Sequence, residues 1–203
     1  MPELGQRLVD AALVVALIAP GVILHEVAHG AMAARLGDDT ARRMGRLTLN
    51  PLAHVDPFGT VLLPLMLVLA GGPVFGWAKP VPINPGRFRR PVEGMALSAL
   101  AGPATNLALA FAVGHLVLPA GAWTGQLEIL VLVNLGLAVF NMLPIPPLDG
   151  SRLLPLVLSP QGRNWYARVE AYGFAILLAA VFVFPRSLAF LRDIIGWLYG
   201  LAT

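Results

Sequence analysis

Val22-Ile23-Leu24-His25-Glu26-Val27-Ala28-His29-Gly30 is the stretch on which the reading of this chain turns. It sets His25, Glu26 and His29 in the pattern H-E-x-x-H. On a helix, residues four apart share a face, so both imidazoles reach one metal ion. Glu26 stands beside them, placed to take a proton from an attacking water. The flanks make the motif informative. Residues 11–24 carry no charge, and Gly30-Ala31-Met32-Ala33-Ala34 is apolar again until Arg35. Ionisable side chains inside an apolar run of membrane length are costly, and a functional site is the usual reason for them. The bland alternative, a pair of surface histidines, needs water that such a run excludes.

The composition around that stretch is that of a polytopic membrane protein. Of 203 residues, 57% are apolar and 12% charged, with a formal net charge of +3. Mean hydropathy is +0.75, well outside the range of a soluble domain. No polar segment is long enough to be a separate soluble domain. Residues 1–203 therefore read as one membrane-embedded domain, with a core over 8–155 and C-terminal apolar segments over 169–201. There is no cysteine, which excludes disulfides and thiolate ligands and leaves His and carboxylate for any metal. The positive balance comes from loop arginines, which suits membrane topology and not nucleic-acid binding. The N-terminal apolar run continues through the metal motif, so no cleavable signal peptide is expected there.

Residues 11–34 are long enough for a first span, with a kink expected at Pro20-Gly21. Residues 35–57 are polar and turn-rich, and Arg46-Leu47-Thr48-Leu49-Asn50-Pro51 has a strand-like alternation. Residues 58–70 are apolar but short for a crossing, as in a tilted span or a re-entrant segment. Residues 74–85 are studded with prolines and are expected to be extended. Residues 95–118 read as a span and 119–126 as an uncharged turn. A further span over 129–143 runs into Pro144-Ile145-Pro146-Pro147-Leu148-Asp149-Gly150, where no regular helix continues. Residues 151–168 read as a polar loop, followed by apolar segments at 171–184 and 188–201. The expected fold is an all-α polytopic membrane protein of about 5–6 transmembrane segments. It would carry a short strand or extended insertion between the first and central spans.

Basic residues concentrate at 35–57, 79–90 and 152–168, and the turn at 119–126 has none. The positive-inside rule places those basic segments in the cytoplasm. His25 and His29 then lie toward the cytoplasmic end of their span, and Asp149 arrives at the same face. A catalytic zinc takes three protein ligands, of which the histidines supply two. Asp149 ends an apolar span within broken backbone, and such backbone is tolerated at membrane depth where it lines a watery cavity. Taken alone, an ordinary Asp-Gly turn at the interface is the commoner account of the same residues.

At this point the chain resembles a known family. Asn141-Met142-Leu143-Pro144-Ile145-Pro146-Pro147-Leu148-Asp149-Gly150 is similar to the N-x-x-P-x-x-x-L-D-G signature of site-2 protease intramembrane zinc metalloproteases. His25 to Gly30 matches their first motif, and Gly102-Pro103-Ala104-Thr105-Asn106 matches the G-P-x-x-N of their intervening span. Residues 74–85 resemble the Pro-rich extended stretch of compact members that lack a PDZ domain. The resemblance runs in order through most of 20–155. It implies Zn2+ as cofactor, His25, His29 and Asp149 as its ligands, and Glu26 as general base. It also implies that Asn141 assists the substrate carbonyl and that Asn106 lies near the site. An interhelical hydrogen bond is an equal reading of Asn106, and a helix cap is the alternative for Asn141. Asn106, Trp77, Lys79 and Val81 are candidate substrate contacts, the last three because an extended segment can pair with an unwound substrate by strand addition. His54, in a turn-rich loop, reads as a solvated side chain, or as a support for the zinc ligands if the loop folds back.

The implied activity is hydrolysis of peptide bonds within or near transmembrane helices of membrane-protein substrates. The lipid bilayer is its medium, nucleic acid is no partner, and a bacterial plasma membrane with the site toward the cytoplasm is the expected location. The rivals are a metal or proton transporter and a catalytically silent zinc-binding scaffold. Transporters more often carry repeated halves with paired broken helices, and no repeat is visible in this sequence. Against a silent scaffold, every catalytic residue type is in place.

Overall fold

Helix α1, Pro2–Arg35, passes without interruption through Pro20 and the metal motif. The computed structural model describes residues 2–69, 76–117, 124–183 and 185–203, and among these every regular element is a helix. Gly37, at φ 111°, takes the left-handed conformation that turns the chain after α1. Helix α2, Pro57–Leu69, opens as a π turn. Asp56 caps it, accepting the N–H groups of Phe58 at 3.1 Å and Gly59 at 2.6 Å. At about 1.5 Å per residue α2 covers roughly 20 Å, short of a hydrocarbon core of about 30 Å.

Helix α3, Pro91–Ala112, starts with proline at its first position and runs on as the π turn Val113–Val117. Helix α4 is Thr124–Asn141, α5 is Pro160–Glu170, α6 is Gly173–Leu178 and α7 is Phe190–Ala202. Segments Val15–Arg35 and Pro91–Leu116 are long and apolar enough to cross a membrane, whereas Pro57–Leu69 and Gly125–Asn141 are shorter. Helices α1, α3 and α4 pack on one another with α3 central. One apolar core joins Ala110 of α3, Val131 and Leu135 of α4 and Ala202 of α7. A second gathers Leu143 and Leu148 against Leu177 of α6, beneath the turn that carries Asp149.

Two expectations change. The alternating stretch 46–51 forms no strand, and the described residues contain none. Its polar side chains take the backbone donors locally: Asn50 N–H goes to Thr48 Oγ1 at 3.2 Å and Leu52 N–H to Asn50 Oδ1 at 3.1 Å. The polar loop expected over 151–168 contains α5, started by Ser159, whose hydroxyl accepts Gly162 N–H at 3.2 Å, and by Pro160. The Gly71-Gly72-Pro73 break, Val74, Phe75 and the turn over 119–123 lie outside the described residues.

Residues 76–84 are neither helical nor paired in a ladder. Backbone N–H groups, alternate ones from Trp77 to Val81 and then that of Asn84, hang this extended segment on the rest of the chain. Trp77 donates to Gly59 O at 3.1 Å and Lys79 to His54 O at 2.9 Å. Val81 donates to Glu26 Oε2 at 2.8 Å and Asn84 to Asp38 Oδ2 at 2.5 Å. The Arg46 guanidinium adds bonds to the carbonyls of Lys79, at 2.8 Å, and Pro80, at 3.3 Å.

Asp38 is the outer anchor of that segment. It is fully buried, and its Oδ1 also accepts Thr40 N–H at 3.1 Å and the Thr40 hydroxyl at 2.5 Å. Burial opposes its ionisation, but the hydrogen bonds from Thr40 and Asn84, with Arg87 nearby, hold the carboxyl below its ordinary value. A carboxyl lowered in this way stabilises the fold fully above the ordinary carboxylate range. That stabilisation is lost as pH falls through the lowered value. Asp38→Ala is expected to cost about 1–3 kcal/mol at neutral pH. It should also flatten the acid limb of stability against pH, measured by unfolding in detergent; an acid limb identical to wild type would contradict this role.

Candidate active site

The histidines of α1 are set by α3. His29 Nδ1 bonds to the carbonyl of Ser98 at 2.7 Å, and His25 Nδ1 to Asn106 Oδ1 at 2.5 Å. Both imidazoles are buried. Their rings meet edge to face, 4.4 Å apart at 88°. Gly102 lies between the two α3 partners. A Cβ there would stand 2.5 Å from His29 Nε2 and 2.6 Å from His25 Cε1, so only glycine leaves room for both rings.

The hydrogen bonds fix the protons. A carbonyl only accepts, so His29 Nδ1 carries its hydrogen. Asn106 Nδ2 donates to the carbonyl of Gly21 at 3.2 Å, so its oxygen is the end that faces His25, whose Nδ1 is likewise protonated. In the neutral rings both Nε2 atoms then present lone pairs, 2.9 Å apart. Asp149 Oδ2 lies 3.1 Å from the first and 3.3 Å from the second, buried and with no hydrogen-bond partner among the described residues. Acceptor atoms meeting in this way repel unless a cation lies among them. A tetrahedral ion with bonds of about 2.0–2.1 Å sets neighbouring ligand atoms roughly 3.3 Å apart. Two nitrogens and one carboxylate at this spacing fit zinc, and offer too few oxygens for calcium or magnesium.

Asp149 is held by its own turn. Leu148 is buried beside it, and the amide and hydroxyl of Ser151 both bond to Leu148 O, at 3.0 and 2.6 Å. The Tyr166 hydroxyl of α5 reaches Ser151 O at 2.9 Å, and Arg152 pairs with Glu170. Gly150 packs directly on the carbonyl of Met142, where a side chain has no space. The unexpected helix α5 is thus part of what presents the third ligand.

The ligands open onto a cavity of about 750 Å³. Glu26, Asn141, Trp77 and Val81 line it, and Asn141 Nδ2 is tied to Leu137 O at 2.9 Å. The Trp77 ring stands between Phe58 and Phe174, with centroids 5.8 and 5.5 Å away. Lys79 is exposed and does not line the cavity; its part in the structure is its backbone. Asn106 is fully buried beneath His25 and reaches the site only through that ring. His54 differs from the solvated histidine expected. It is buried, with Nε2 on Thr48 O at 2.9 Å, and its loop folds back on the extended segment, away from the cavity lining. Gly102 and the Ser98 carbonyl were not expected at the site from the sequence. Gly102 opens the G-P-x-x-N motif, but a carbonyl leaves no trace in sequence.

Gly102→Ala is expected to weaken zinc binding by about tenfold or more, because the new methyl group displaces both ligand rings. Gly136→Ala on α4, where a Cβ meets nothing within 4 Å, should bind zinc as wild type does. Chelator competition measures both, and equal affinities for the two variants would contradict this geometry.

Comparison with known proteins agrees with the geometry. A family model described as Peptidase family M50 matches residues 117–184, the part that contains Asp149. YwhC of Bacillus subtilis, named as a proposed zinc metalloprotease, is 40% identical over 85% of this chain and 80% of its own. Rip2 of Mycolicibacterium smegmatis, similarly named, is 31% identical over 92% of this chain and 73% of its own. Rip2 of Mycobacterium tuberculosis is 30% identical over 98% and 79%. No solved structure matches. With the histidine pair, the carboxylate and the adjacent glutamate in place, the chain belongs to the site-2 protease (M50) family of zinc metalloproteases.

Proposed function

We propose that this metalloprotease works inside the bilayer, cutting peptide bonds within or near the transmembrane helices of membrane-protein substrates. The observation that carries the reading is the position of the ligand set. Two of its three members lie on an apolar helix of membrane length, and it opens onto a cavity whose walls include Val22, Met95, Leu137 and Phe140. In this reading α4, α6 and α7 add short or tilted crossings to α1 and α3, for about five in all, and α2 is the re-entrant segment, because Trp77 N–H returns to Gly59 O near its start. The arginines that follow α1 face the cytoplasm of a bacterial cell, with the site toward that side.

His25, His29 and Asp149 would hold the zinc, which when bound would supply Lewis acidity toward the scissile carbonyl and a water. Glu26 takes the proton of the attacking water through one carboxylate oxygen and hands it to the leaving amine. Its other oxygen stays on Val81 N–H, which fixes the direction of the carboxylate. Asn141 keeps one amide hydrogen on Leu137 O and has a second to offer the substrate's backbone.

A helical substrate has its backbone bonds paired internally and must be unwound before attack. The extended segment offers an edge for this. The N–H groups of Trp77, Lys79 and Val81 point into the protein, so by the alternation of extended backbone residues 78 and 82 present the opposite edge, while the Pro80 carbonyl is drawn to Arg46. Residue 82 is a proline, and Ala78 alone keeps an N–H there. A substrate strand added on this edge mostly donates to carbonyls and receives one bond from Ala78. Ala78→Pro is expected to reduce cleavage of a single-span substrate with zinc content unchanged; full cleavage would remove the pairing step from the account.

Glu26→Gln should retain one zinc and the bond from Val81 while losing about 10²–10⁴ in cleavage rate. If wild type and variant both hold zinc and neither cleaves a panel of single-span substrates, the transporter or scaffold reading replaces this one.

A further inference from the structure

Helix α4 carries Asn134 in the middle of an otherwise apolar stretch, and that side chain is completely buried. A buried carboxamide there is expensive unless every polar atom is matched. Asn134 is matched in a definite order. Its Nδ2 donates to Leu130 O, one turn back, at 2.8 Å. Because that carbonyl only accepts, the oxygen of Asn134 is the end that faces α3, where it receives Asn106 Nδ2 at 2.8 Å. Asn106 then has two acceptors on its nitrogen end, Gly21 O and Asn134 Oδ1, and its own oxygen on His25 Nδ1.

We infer that Asn134 is a positioning residue for the metal ligand His25, acting through the carboxamide of Asn106. The inference rests on the zinc site described above. If Asn106 turned over, its oxygen would meet two acceptors and its NH2 group would face His25 Nδ1. That arrangement requires the imidazole hydrogen to move to Nε2, which removes the lone pair that ligates. Gly21 O alone, at 3.2 Å, opposes the flip weakly; Asn134 Oδ1 supplies the shorter bond. The α1 backbone is shaped for this approach. A Cβ on residue 21 would come within 2.6 Å of Asn134 Oδ1, so Pro20-Gly21 admits α4 where a bulkier residue would push it away. A polar chain thus crosses three helices from the Leu130 carbonyl to His25 Nε2, its direction set by the backbone carbonyls of Leu130 and Gly21.

The test uses the purified full chain in detergent, with Zn2+ alone in chelator competition and Co2+ as an absorption probe of the ligand field. Asn134→Leu removes the acceptor at similar volume and is expected to weaken zinc binding about 10–100-fold and alter the cobalt spectrum. Asn134→Asp keeps an acceptor toward Asn106 and should stay close to wild type in both. In an Asn106→Ala background, Asn134→Leu should cause no further loss, because the path is already cut. Unfolding of the metal-free variants reports packing separately. The inference is overturned if Asn134→Leu binds zinc as wild type does, if Asp and Leu lose affinity equally, or if the Leu loss adds in full to that of Asn106→Ala. A wild-type chain that binds no zinc would instead overturn the zinc-site reading itself.

Discussion

Two imidazoles on one helix face can share a metal only if both turn the same nitrogen toward it, and here that choice is made by the neighbouring helix. Helix α3 takes the Nδ1 hydrogen of each, through a backbone carbonyl for His29 and a carboxamide for His25. The ligating lone pairs are therefore set by packing before any metal arrives. That packing must be close, and α3 presents Ala96, Ser98, Ala99 and Gly102 as buried residues, small enough to let α1 approach. In an apolar medium, where helices gain nothing by escaping water, close backbone approach and interhelical hydrogen bonds are what hold them together. The zinc site and the α1–α3 interface are thus one structure, and a methyl group at Gly102 disturbs both.

The remaining parts of the site are supplied by segments that are not long helices. Asp149 comes from a tight turn beyond α4, clamped by Leu148, Gly150 and the Tyr166 hydroxyl. Glu26 is directed by the Val81 amide of the extended segment, which is in turn anchored by His54, Arg46 and Asp38. Irregular backbone concentrates at the cavity, where its free edge and polar groups can meet a substrate chain. The same segment serves as catalytic support on one edge and, in the proposed function, as substrate rail on the other.

The sequence was most legible where a local rule has few exceptions. Histidines four apart on an uncharged run gave both the helix and two ligands, and prolines at 80, 82 and 85 gave the extended segment. Asp149 was not decidable from local chemistry, because Asp-Gly is an ordinary turn; the surrounding ten-residue signature resolved it, and the structure places it against both histidines. Helix α5 was read as loop because its face is mostly polar, although Ser159-Pro160 was a legible start signal. The strand at 46–51 looked regular but had no partner, and side-chain bonds claimed its backbone. His54 was read as solvated because its burial depends on a tertiary bond between its carbonyl and Lys79. Asn134 belongs to none of the three motifs, though a lone amide in an apolar span is the kind of residue that signals a partner on another helix.

The central claim is that two histidines from α1 and one carboxylate from the turn after α4 hold a single zinc. Zinc-edge X-ray absorption on the purified full chain, beside Asp149→Ala, tests it most directly. The account predicts one zinc in wild type, with two imidazoles and oxygen donors at about 2.0–2.1 Å, and a shell that loses its carboxylate with binding sharply weakened in the variant. A wild-type protein without zinc, or an Asp149→Ala protein with the same shell and affinity, would contradict it.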